Sequence, residues 1–70
     1  MNTLKIKKYE YIKVIQQFYG SWEDNSQYPA KSNGDAFDNE TRLLIKHDLK
    51  EYRLTGYPTR LIFRKTLNTN

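Results

Sequence analysis

The chain reads as an α+β domain: a three-stranded antiparallel sheet in the order 2-1-3, β-β-α-β along the sequence, with one helix packed on one face. Three observations predict it. Residues 5–19 are dense in β-branched and aromatic side chains, which pack well on a pleated surface. A capped, amphipathic stretch begins at Asn39 and is closed by Gly56 and Pro58. A further strand-like run, Thr59 to Thr66, follows it. A lone hairpin is marginal in water, so two strands need a third partner and a helix over one face.

In the first strand Ile12, Val14 and Phe18 fall on one side, and Tyr9, Tyr11 and Ile15 on the other. Tyr11, Val14, Ile15 and Phe18 also stand at helical spacing, but the Val, Ile and Tyr content favours a strand. Gly20-Ser21 reads as a hairpin turn, and a second strand follows from Trp22 to Tyr28, with Trp22, Asp24, Ser26 and Tyr28 on one face. Pro29 ends it, and residues 29–37 form a loop whose far end Phe37 should anchor. Asp38 or Asn39 caps the helix, Glu40 suits its positive end, and the helix should run from Asn39 to Leu54 or Thr55. Gly56 then takes the position just past the cap, and Pro58 blocks continuation. In the third strand Leu61 and Phe63 take one face, and Arg60, Ile62 and Arg64 the other. Antiparallel pairing of this strand with the first is the simplest arrangement. Residues 1–70 make a single domain, with an ordered core over about 5–66, a frayed start over 1–4 and a flexible tail over 67–70.

Seventy residues are close to the lower limit for unaided folding, and with no cysteine neither a disulfide nor a thiolate metal site can staple the domain. That usage suits a reducing compartment, and no apolar run approaches the ~20 residues of a membrane span. Without a signal-like start, the Asn39-Glu40-Thr41 sequon lacks a secretory context, and a soluble, cytoplasmic protein is expected. The net charge of +4 is unevenly spread. Four lysines against Glu10 leave +3 over residues 1–20, Lys31 against five carboxylates leaves −4 over 21–40, and seven cations against Asp48 and Glu51 leave +5 over 41–70. The domain has basic ends and an acidic middle.

Catalytic signatures are missing. His47 is the only histidine, and Asp48 and Glu51 lie elsewhere around the helix, so no metal set forms. There is no phosphate loop, Ser-His-Asp set or HExxH, and Glu23 and Asp24, as strand neighbours, point to opposite faces. Asp35, Asp38 and Glu40 lack EF-hand spacing and are explained by helix capping. The expectation is a non-enzyme without cofactor or metal.

The helix carries more information. With Arg42 at 0° and about 100° per residue, Lys46, Lys50 and Arg53 fall at about 40°, 80° and 20°, one basic ridge. Thr41, Leu44, Ile45, Leu49 and Tyr52 occupy roughly 200–340° and should face the sheet. Leu43, His47 and Leu54 lie at about 100–140°, a second apolar strip away from the core. A solvated basic face with ordinary surface leucines explains this pattern; so does a docking surface of apolar residues rimmed by positive charge. On the third strand Arg60, Arg64 and Lys65, with Tyr57 at its entry, form another basic set. Such residues bind single-stranded nucleic acid through phosphate contacts and stacking, and equally protect a sheet edge from aggregation.

Taken together, Tyr-Ile-Lys-Val-Ile-Gln (11–16), Gly-Ser-Trp-Glu-Asp (20–24), Leu-Lys-Glu-Tyr-Arg (49–53) and Tyr-Pro-Thr-Arg-Leu-Ile (57–62) with Arg64-Lys65 resemble small uncharacterised proteins of phage and prophage genomes. The resemblance covers roughly residues 9–65; Phe63 inside the basic strand end and the extended 29–37 loop depart from it. It carries no assigned activity, and the arrangement is similar to small phage proteins that bind and inhibit a host enzyme. The resemblance therefore implies a phage-type accessory protein, in the host cytoplasm, that binds a host or phage protein, with inhibition as one outcome. Leu43, Lys46, His47, Lys50, Arg53 and Leu54 are the partner-binding candidates. Tyr57, Arg60, Arg64 and Lys65 serve the nucleic-acid alternative, and self-association through a strand edge is a third.

Overall fold

The computed structural model describes residues 9–67, with side chains described over 11–65. Its elements are β1 (Tyr9–Phe18), β2 (Trp22–Pro29), α1 (Asn39–Arg53) and β3 (Thr59–Leu67). The sheet has the order β2-β1-β3 with both pairings antiparallel, the predicted α+β topology. The expected frayed residues 1–4, residues 5–8 of the expected core and residues 68–70 of the tail lie outside the described residues. β3 ends at Leu67, one residue past the predicted Thr66.

The strand richest in β-branched residues takes the centre. Val14, Ile15, Gln16 and Gln17 of β1 are consecutive and all buried, so both faces of this strand are covered although one helix covers only one of them. On the helix side Ile15 stands between Ser26 and Leu61 in register, and packs with Tyr28 and Ile45 as the core; Ala36, Leu49, Tyr52 and Leu61 close around it. Tyr19, Gly20 and Ser21 connect β1 to β2, and Gly20 has φ 98°, a conformation that favours glycine.

Strand β2 departs from simple alternation. Ile15 pairs with Ser26 but Gln16 pairs with Asp24, so Asn25 is an extra residue, a β-bulge. The bulge reverses the side-chain direction halfway along. Trp22 and Asp24 lie on the helix-free face, whereas Ser26 and Tyr28 bond to α1. The expected common face for these four residues is thereby corrected.

The 29–37 loop is a hydrogen-bonded miniature hairpin. Ala30 bridges Ala36, Lys31 N–H donates to Asp35 O at 2.8 Å, and Phe37 N–H donates to Pro29 O at 3.1 Å. Neighbours in an extended segment point opposite ways, so Ala36 turns into the core and Phe37 outward, 57 % exposed. Phe37 is no anchor; its backbone alone is tied.

Asp38 caps α1, accepting from Thr41 N–H at 2.8 Å from an extended backbone. Hydrogen bonding from Thr41, its side chain first and its amide second, holds the Asp38 carboxyl below the ordinary value. The helix stops at Arg53, with Leu54 as cap. Thr55 N–H and Gly56 N–H then reach back three residues, to Tyr52 O and Arg53 O. This tighter turn sets Gly56, φ 89°, one residue later than predicted. Ile45 is buried and Thr41, Leu49 and Tyr52 half-buried, but Leu44 is 51 % exposed. Leu44 lies at the margin of the sheet-facing sector, whereas Asp48, at about 240°, lies inside it, where Tyr28 Oη donates to its Oδ2 at 2.6 Å.

Candidate functional site

Two surfaces carry the candidate residues: the outward face of α1 and the helix-free face of the sheet. Leu43 and Leu54 on α1 are 50 % and 76 % exposed, and Lys46, His47, Lys50 and Arg53 are exposed beside them. None of the side chains of Lys46, His47, Lys50 and Arg53 makes a hydrogen bond or ion pair among the described residues. The fold therefore makes no internal use of these four polar heads. Leu44, expected in the core, adds a third half-exposed leucine next to Leu43. Continuing the same helical arithmetic, Glu40 and Glu51 fall at about 160° and 180°, so the leucine strip runs between a cationic ridge and two carboxylates. An apolar strip with opposite charges on its two flanks fixes the orientation in which a complementary surface can lie on it.

The second predicted set does not converge. Arg60 and Arg64 lie on the helix-free face, Lys65 alternates to the other side of β3, and Tyr57 packs edge-on against Tyr19, centroids 4.6 Å apart, near the β1–β2 turn. Both arginines are engaged. Arg64 donates to Asp24 from Nη1 to Oδ2 at 2.7 Å and from Nη2 to Oδ1 at 3.2 Å, a bidentate pair that holds the Asp24 carboxyl below its ordinary value, with help from Gln16. Gln16 Nε2 donates to Asp24 Oδ1 at 2.7 Å, and Arg60 Nε donates to Gln16 Oε1 at 2.7 Å. The Arg60 guanidinium stacks 4.0 Å over the Trp22 ring, and Trp22 meets Phe18 edge-on at 5.3 Å. This chain of side chains, Arg64–Asp24–Gln16–Arg60–Trp22, lies on the same face as Val14, which is fully buried without any helix above it. It stands in for the missing second layer.

No family model, no curated protein and no solved structure matches this chain.

Sequence reasoning missed Gln16, Gln17, Trp22 and Asp24 as a group. The available signal was the Gln-Gln pair inside a β-branched strand, since amides at central-strand positions must find partners when buried. Among the described residues no three His, Cys, Asp or Glu side chains gather as metal ligands. No helix among them is long and apolar enough to cross a membrane.

Proposed function

We propose that this domain is a non-catalytic binding module that captures a protein partner through the outward face of α1. Leu43 and Leu54 supply apolar contact with His47 between them, and Lys46, Lys50 and Arg53 supply a rim for acidic groups of the partner. The observation that carries this reading is the contrast in cation use: the β3 arginines are bonded within the fold, while Lys46, Lys50 and Arg53 of α1 have no internal partner among the described residues and stand beside exposed leucines. The partner class fits a phage-type accessory protein acting on a host or phage protein, with inhibition as one consequence of capture.

A photo-crosslinking residue placed at Lys50, and separately at Gln27 on the helix-free face, tests the surface in nuclease-treated bacterial extract. The Lys50 probe should yield one protein adduct that the Gln27 probe does not. Leu43→Asp should weaken its capture about tenfold, the loss of a buried contact worth about 1.4 kcal/mol. Capture that is unchanged in both Leu43→Asp and Lys50→Glu refutes the surface. The nucleic-acid reading keeps one favourable observation: Phe18 and Trp22, 38 % and 37 % exposed, sit beside Arg60. It requires crosslinks from Gln27 to oligonucleotide that fade steeply with salt.

A further inference from the structure

At the N-terminal end of α1 a cavity of about 480 Å³ opens between the helix, the 31–36 loop and the helix-side face of β1 and β3. Its apolar part is formed by Ala36, Ile45 and Leu61, all of which also belong to the core region. Three cations, Lys13, Lys31 and Arg42, line it as well. Lys13 is the unusual one. It sits on the central strand, on the face that packs under the helix, half-buried and opposite Phe63 and Tyr28 in register. Its ammonium has no hydrogen-bond or salt-bridge partner among the described residues. A central-strand position on the helix side ordinarily takes an apolar side chain, and a lysine there can pack its stem while its ammonium reaches the cavity.

Two carboxylates share the cavity wall and keep their charges, so three cations against two carboxylates leave the lining at a formal +1. Asp38 accepts from Thr41 N–H at 2.8 Å and has Lys31 as its nearby charge; Asp35 accepts from Asn33 Nδ2 at 3.2 Å. Arg42 spends one donor on Asn39 and keeps the rest of its fork. Lys13 and Arg42 are thus left to act on whatever enters. The helix terminus itself is not the attraction, since Asp38 already occupies its Thr41 amide.

We propose that this cavity is a binding site for a small molecule with an anionic head group, a phosphate or carboxylate, on an apolar body. The head group lies between Lys13, Arg42 and Lys31, and the body rests on Ala36, Ile45 and Leu61. The volume lies within the ~300–1,000 Å³ of small-molecule sites, and an apolar floor with a few converging polar groups is their usual composition. The site is separate from the Leu43–Leu54 strip, and its failure leaves that reading untouched.

The test is a titration of the isotope-labelled full chain with phenyl phosphate, benzoate, inorganic phosphate and phenol, followed by amide shifts. Phenyl phosphate or benzoate should give saturable shifts at Lys13, Gly34, Ala36 and Leu61, and the tighter of the two identifies the head group. Inorganic phosphate should bind about tenfold more weakly than phenyl phosphate, and phenol should not saturate. Lys13→Met, which keeps the stem and removes the charge, should weaken binding about tenfold. Lys31→Ala, on an exposed loop where folding is not at stake, should weaken it in the same direction. No saturable shift with either aromatic anion overturns the site. Phenol binding as well as phenyl phosphate, or undiminished binding in both lysine variants, overturns it too.

Discussion

Gln17 offers the sharpest test of how so small a domain holds together. It is 2 % exposed, and one amide reaches every element. Its Nε2 donates toward Tyr52 O at 2.9 Å, Thr55 Oγ1 at 2.8 Å and Thr59 Oγ1 at 3.1 Å; its Oε1 accepts from Tyr19 Oη at 2.6 Å and Asn25 Nδ2 at 2.8 Å. Two protons serve three acceptors, so four full bonds are lost in Gln17→Leu, about 4 kcal/mol at roughly 1 kcal/mol each. Part of this is recovered. Tyr52 O keeps Thr55 Oγ1 at 2.7 Å, and Asn25 keeps Tyr19 Oη at 2.8 Å. Leucine also removes the desolvation cost of the amide. The net loss should be about 2 kcal/mol, roughly half of the ~3–5 kcal/mol such a core supplies. In urea, with a slope of ~1 kcal/mol/M for a small domain, the midpoint should fall by about 2 M. Gln17→Glu should be worse at neutral pH, because a buried carboxylate would face the Tyr52 carbonyl. A midpoint shift below about 0.5 M for Gln17→Leu, or Gln17→Glu more stable than Gln17→Leu, refutes the amide as the organising contact.

Further outcomes follow from other contacts. Burial and the bond to Asp48 push the Tyr28 phenol up to about 12 from 10.0, so the folded chain keeps a proton that the unfolded chain releases. The stability this contributes is complete below pH 10 and is lost as pH rises toward 12; denaturation midpoints across that window should fall, and the fall should be shallower in Tyr28→Phe. Arg60→Ala uncovers the Trp22 ring and should shift its fluorescence to the red, with a stability loss of about 1 kcal/mol; an unchanged spectrum would show that the stack does not persist in solution. Deleting Asn25 restores strict alternation in β2, so either Trp22 and Asp24 or Ser26 and Tyr28 must change faces; the deletion should unfold the domain, read by circular dichroism, whereas Asn25→Gly should leave it folded.

The parts of the fold that were legible in the sequence are those set by local chemistry. Asp38 at the cap, Pro58 after the helix and the β-branched content of β1 and β3 each act over a few residues, and the order β2-β1-β3 follows from hairpin adjacency plus one antiparallel return. What escaped depends on contacts across the sheet. The Asn25 bulge places Asp24 within reach of Arg64, forty positions away, and no period-2 pattern encodes that. Leu44, expected against the sheet, is half-exposed, while Asp48 meets the hydroxyl that Tyr28 presents from β2, a contact helical arithmetic does not give. The α1 candidates were legible because helical arithmetic gives direction without tertiary knowledge. The β3 set was only half legible: the Arg60 and Arg64 parity was readable, but their engagement with Gln16, Trp22 and Asp24 was not.

The division of cations between internal and unpartnered roles makes ionic strength a discriminating variable. Arg64 and Arg60 act through short hydrogen bonds and ring contact, at 2.7 Å and 4.0 Å, within a surface layer only one side chain deep. Surface pairs of this kind contribute little that salt can remove, so the urea midpoint should change only slightly as salt is raised. Lys46, Lys50 and Arg53 have no such partners, and any attraction they exert acts across solvent, where the Debye length shortens from ~10 Å at 0.1 M to ~3 Å at 1 M. Capture by the α1 face should therefore weaken several-fold over that range while the fold persists, chiefly by slower association. A capture that resists salt but is lost in Leu43→Asp would assign the surface to its leucines alone. A fold that loses stability in step with capture would mean that the ridge is coupled to the sheet after all.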